Sequence, residues 1–201
     1  MTLDFEFVGG DPSVDLVNTL MHRAQPGGAD ELLTSGEDAR RWFVRAGVLS
    51  EEEATRLDPE AALHAARRLR SALDAVYRPL ARHEDDPSGT ERGLTTLNAV
   101  LDQGRERVQV SREGGKFARG ARLEILGPLD PSVRVARSAA ELLHRLEPHR
   151  LKECENPECD LLFYDESRNN SRRWCSMQGC GNVQKQARFR RKGREGVAGS
   201  A

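Results

Sequence analysis

Apolar positions recur at helical spacing through most of this chain and alternate with polar ones in a single stretch. Asp11 followed by Pro12 has the form of an N-cap with proline at the first helical position. Val14, Val17, Leu20 and Met21 then share a face, which predicts a helix over 12–22. A Gly/Pro loop occupies 25–28, after which Ser35 with Asp38 forms a capping box ahead of Trp42 and Phe43. Ser50 with Glu53 repeats the signal before a short helix. Asp58-Pro59 opens the longest segment, predicted from 59 to about 83, with Leu63, Ala66, Leu69, Leu73, Val76, Tyr77 and Leu80 inward. Thr90 is expected to cap a further helix that carries Leu94, Leu97, Val100 and Leu101 and stops at Gly104.

Over residues 107–126 the period changes to two. Val108 and Val110 alternate with polar residues, Glu113-Gly114-Gly115-Lys116 reads as a turn, and Leu123 and Ile125 alternate again, so one β-hairpin is expected here. Asp130-Pro131 starts a last helix that runs to Leu146 and is closed by Pro148. The fold class is therefore mainly α. A helical N-terminal domain with one β-hairpin spans 1–149, a small C-terminal module spans 150–194, and a flexible tail spans 195–201.

Charges interrupt every apolar run, so no membrane span is expected, and residues 1–10 lack the basic region of a secretory signal. A cytoplasmic, nucleoid-associated protein is the expectation. In a reducing compartment four cysteines serve more often as metal ligands than as disulfides. Here they form two matched C-x4-C pairs, Cys154 with Cys159 and Cys175 with Cys180, with no cysteine left over. A closed structural zinc site takes four soft ligands in a tetrahedron, commonly delivered as two close pairs on separate turns. Asn156-Pro157 and Gly179 supply those turns, and Leu161-Leu162-Phe163-Tyr164 supplies an apolar floor between them. One structural Zn²⁺ per chain is expected, and loss of a cysteine should unfold the module while leaving the helices intact. His149 is close to the cluster in sequence, but with four cysteines present it is read as a surface residue.

The net charge of −1 conceals a division. Residues 150–201 hold 11 basic and 7 acidic residues, which leaves 20 against 25 in the rest. Between residues 168 and 194 there are nine basic residues and no acidic one. No helix breaker occurs over 182–192, so the module is expected to end in a basic helix. Arg168, Arg172, Arg173, Lys185, Arg188, Arg190 and Arg191 are the candidate nucleic-acid contacts, because a rigid metal module edged with arginine suits phosphates. The bland alternative is a basic helix that only solubilises the terminus or lies against the acidic first domain.

A polar run, Ser167-Arg168-Asn169-Asn170-Ser171-Arg172-Arg173, leads into Trp174-Cys175-Ser176-Met177 and then Cys180-Gly181-Asn182. Together with the two C-x4-C pairs, this arrangement resembles the CGNR zinc finger. The segment Phe7-Val8-Gly9-Gly10 with Asp15-Leu16-Val17-Asn18-Thr19-Leu20 resembles the start of the ABATE domain, which precedes this finger in bacterial stress-induced transcription regulators. The resemblance implies a helical sensor domain, a treble-pair zinc module built on the four cysteines, and DNA binding. One position departs from the motif, because Val183 follows Cys180-Gly181-Asn182 where the family has arginine.

A transcription regulator is thus the leading expectation, with DNA as partner, a homodimer to enlarge a small interface, and a small-molecule ligand in the first domain. Asp15, Asn18 and His22 are near neighbours on the first predicted helix and, with Arg40 or Arg41, are the candidate lining of that ligand's pocket. About six phosphate contacts would weaken binding roughly a thousandfold between 50 and 200 mM salt. The alternative is a zinc-stabilised protein-interaction module without nucleic-acid binding. The chain has no G-x-G-x-x-G, P-loop, H-E-x-x-H or G-x-S-x-G motif, and it is not expected to be an enzyme.

Overall fold

The computed structural model describes residues 4–23, 25–126 and 130–187. Its elements in chain order are α1 (Pro12–Val17), β1 (Leu20–Met21), β2 (Asp30–Glu31), α2 (Gly36–Arg45), α3 (Glu51–Ala54), α4 (Pro59–Arg82), α5 (Pro87–Leu101), β3 (Gly104–Glu113), β4 (Lys116–Ile125), α6 (Ser132–Arg145), β5 (Leu151–Glu153) and β6 (Leu162–Tyr164). A 3₁₀ turn, Pro148–Arg150, precedes β5, and a π-helical turn, Met177–Gly181, holds the last cysteine. The structure has the expected mainly helical class with one long hairpin.

The long helix α4 is the axis of the molecule, and α1, α2, α5, α6 and β5 all pack on it. Its inward stripe of Leu63, Ala66, Leu69, Leu73, Val76 and Tyr77 is buried with Trp42, Phe43, Val135 and Leu142. Asp58 caps its start, and His83, in the left-handed region at φ 56°, ends it. Both predicted capping boxes are present, Ser35 with Asp38 and Ser50 with Glu53.

Three boundaries differ from the sequence-based expectation. The first helix stops at Val17 instead of running to 22, because Asn18 turns its side chain to the backbone of β6 and the chain then enters β1. Asp86, not Thr90, caps α5 by accepting from the Gly89 amide, so that helix begins at Pro87. Gly104 opens β3 instead of closing a helix, and the hairpin is longer than predicted. Its ten cross-strand pairs run from Gly104 opposite Ile125 to Glu113 opposite Lys116. Gly114 and Gly115, at φ 57° and 83°, make the tight turn, which needs two consecutive positive φ values.

The strands β5 and β6 pair with each other and also enter the helical core, where Leu151, Leu162 and Tyr164 join the main buried cluster. Among the described residues no helix is long and apolar enough to cross a membrane.

Candidate metal centre

The cysteines are set by two turns that hold each other. Cys154 follows β5 directly, and its amide donates to the Leu161 carbonyl at 2.9 Å. The chain reverses through Asn156-Pro157, where the Cys159 amide donates to the Asn156 carbonyl at 2.8 Å. Cys175 and Cys180 flank the second turn, in which the Gly181 amide reaches back to the Ser176 carbonyl at 2.9 Å. A Cβ at position 181 would press to 3.0 Å from Met177 Sδ and 3.2 Å from Trp174 Cδ1, so the turn favours glycine. The ligands come in two pairs among the described residues, which is simpler than the expected treble-pair arrangement.

All four Sγ atoms lie within 4.8 Å of one another, with Cys159 to Cys175 at 3.7 Å and Cys175 to Cys180 at 3.6 Å. A tetrahedron of Zn–S bonds of about 2.3 Å has sulfur–sulfur edges of about 3.8 Å, so the cluster fits one zinc ion. Hydrogen bonding with Cys154 pushes the Cys159 and Cys175 thiols far above their ordinary range, while Cys154 itself is held low. Four adjacent thiolates need a compensating cation, which a divalent zinc would provide. Two N–H groups point at sulfur: the Cys175 amide at Cys154 Sγ, 3.4 Å, and Asn156 Nδ2 at Cys180 Sγ, 3.2 Å. Asn156 also accepts from Gln184 Nε2 at 2.9 Å, so this buried amide ties one turn to the other. From the sequence Asn156 is only a turn former; its place beside two ligands in a polar turn is the signal for the larger role.

The seven candidate basic residues divide sharply. Arg172 lies over the Phe163 ring at 4.3 Å and donates to the carbonyls of Val8 (2.8 Å), Trp174 (3.1 Å) and Cys175. Its guanidinium is consumed inside the protein. Arg173 is exposed but pairs with Glu155 and covers Trp174. Arg168, in an exposed loop, and Lys185, in the helical stretch 182–187, face solvent, as does Val183. Arg188, Arg190 and Arg191, and with them much of the expected basic helix, lie outside the described residues.

Asp15, Asn18 and His22 are brought together, but their side chains build a joint in place of a pocket. Asp15 is buried and accepts the Gly9 amide at 2.7 Å, while the Gly9 carbonyl accepts from the Tyr164 amide of β6 at 2.8 Å. A Cβ on Gly9 would fall 2.8 Å from Asp15 Oδ1, which explains the glycine. Asn18 exchanges two hydrogen bonds with the Leu162 backbone. His22 pairs through Nδ1 with Asp30 at 2.7 Å and donates its backbone amide to Asp160 at 2.8 Å. Burial, the largest influence, pushes the Asp15 carboxyl up to about 7 against the pull of the Gly9 and Val8 amides.

His22 also borders an open cavity of about 690 Å³ beside the cluster, walled by Cys159, Cys175, Cys180, Met21 and Leu161. Arg40 and Arg41, the other expected pocket residues, pair instead with Glu37 and Asp38 on the surface of α2.

Two families match the sequence that builds this geometry. The CGNR zinc finger matches residues 150–193, and the ABATE family, described as "Putative stress-induced transcription regulator", matches residues 10–145. No curated protein matches the chain.

Proposed function

Because the chain belongs to the ABATE family and carries a CGNR zinc finger behind its helices, we propose that it is a transcription regulator that binds DNA through the zinc-held module. One structural zinc on Cys154, Cys159, Cys175 and Cys180 fixes the module, and the helical part receives a small-molecule signal. The observation that carries this reading is the exposure of Arg168 and Lys185 on a module braced by its cysteines. Lys185 heads a sequence run with Arg188, Arg190 and Arg191 and no acidic residue before Arg194. Arg172 leaves the set of contacts because its charge is spent on carbonyls and on Phe163. With Arg168, Lys185, Arg188, Arg190 and Arg191 as the contacts, affinity falls roughly five-hundredfold between 50 and 200 mM salt.

The test is selection of genomic fragments by the zinc-loaded chain across a salt series. Enrichment that is lost on replacing Arg168 and Lys185 by glutamine supports the reading. Salt-insensitive or absent binding refutes it.

A second reading is favoured by one set of contacts. Arg82 pairs with Glu153, Arg23 with Asp160, and Arg172 with the Val8 carbonyl, so these three contacts clip the helical part to the finger. On this reading the zinc stabilises an interaction module without nucleic acid. A zinc-loaded chain that captures no fragment at 50 mM salt would favour the clip.

A further inference from the structure

The β3–β4 ribbon is a second basic element, remote in sequence from the finger. Residues 104–125 hold six basic and three acidic residues, inside an N-terminal part that is acidic overall. The register sorts these residues onto two faces. Val108, Val110, Phe117, Leu123 and Ile125 share one face with Glu106, Arg112 and Arg119. The other face holds Arg105, Arg107, Gln109, Ser111, Lys116 and Arg122, together with Glu113 and Glu124.

On that second face Arg105 stands opposite Glu124 and Glu113 opposite Lys116, so those charges balance. Arg107 stands directly opposite Arg122, and neither makes an ion pair among the described residues. Like charges set opposite each other oppose strand pairing. An anion between them reverses the sign. The two arginines border an open cavity of about 290 Å³ at the ribbon's root, which Glu124 and Arg134 also line. Ten residues of strand extend about 34 Å, close to one turn of B-form DNA.

We propose that the ribbon's Arg107–Arg122 face is a second phosphate contact for the nucleic acid that the finger binds. The inference rests on the DNA-binding reading and adds a second surface to it. The exposed Val108, Val110 and Phe117 lie on the opposite face and leave the arginines unobstructed.

The experiment compares the zinc-loaded full chain with two variants, Arg107→Gln/Arg122→Gln and Arg168→Gln/Lys185→Gln. Each is titrated by fluorescence anisotropy against a duplex of arbitrary sequence from 50 to 200 mM salt. Removing two phosphate contacts flattens the salt slope by about 1.8, so the ribbon variant's deficit against the parent shrinks about twelvefold across that range. An unchanged slope for the ribbon variant, with a flattened one for the finger variant, overturns this inference and leaves the finger reading standing. The converse pattern supports the ribbon and removes the finger. If the parent does not bind, both fall; a dimer at low salt that dissociates in the ribbon variant would then identify a second copy's acidic surface as the occupant. Superimposable circular dichroism spectra confirm that the variants fold.

Discussion

Asn18 and Leu162 stand 144 residues apart and are joined by two hydrogen bonds: Asn18 Nδ2 donates to the Leu162 carbonyl at 2.9 Å, and the Leu162 amide donates to Asn18 Oδ1 at 2.8 Å. The side-chain amide acts as one more strand neighbour for β6, and both residues are buried. Asn18→Leu would strand a buried donor and a buried acceptor, each costing about 1–3 kcal/mol. The expected loss in urea unfolding is about 2–4 kcal/mol. A change below about 0.5 kcal/mol would mean that water replaces the amide.

Zinc removal should reach beyond the finger. Leu151, Leu162 and Tyr164 are buried in the helical core, and Phe163 is buried against the cysteine turns. The sequence alone suggests that the module unfolds by itself; this packing ties its strands to α1 and α4. Chelation should therefore lower the midpoint of the helical circular-dichroism transition, by about 2–4 °C for each kcal/mol lost. An unchanged helical midpoint after metal loss would show that the two parts unfold independently.

Local signals in the sequence are reliable where the cause is local. The capping boxes at Ser35 and Ser50, the stripe of α4 and the glycine turn of the hairpin each depend on residues a few positions apart. The metal ligands are legible for the same reason, since each C-x4-C pair is a short-range pattern. The roles of Asp15, Asn18 and Arg172 are not, because their partners are backbone groups brought in by the fold: Gly9, Leu162 and Val8. Side-chain chemistry does not reveal a backbone partner. An arginine in a basic run reads as a phosphate contact until the fold shows carbonyls around it.

Arg172 separates structure from recognition. A lysine there cannot stack flat on Phe163 or fork among three carbonyls, so Arg172→Lys should cost about 2 kcal/mol despite keeping the charge. It should leave the salt slope of any DNA binding unchanged, because no phosphate contact is lost. A flattened slope with unaltered stability would return Arg172 to the DNA surface.

The last prediction concerns pH. Burial pushes the Asp15 carboxyl up from 3.8 to about 7; the Gly9 and Val8 amides pull it down, the Asp11 charge adds to the rise and Arg172 opposes it. Between those values the folded chain holds a proton that the unfolded chain has released. Stability contributed by this group is therefore greatest below about pH 4, declines as pH rises towards 7, and is level above. At 1.36 kcal/mol per unit, the full decline is at most about 4 kcal/mol. Asp15→Asn cannot ionise, yet its Oδ1 can still accept from Gly9. Relative to the parent, the variant should gain about 1.4 kcal/mol per pH unit between roughly pH 5.5 and 7, and nothing more up to about pH 8.5. Urea midpoints of both zinc-loaded proteins across that range check this. A constant difference would place the Asp15 titration outside it, and the carboxylate would then be charged throughout the folded range.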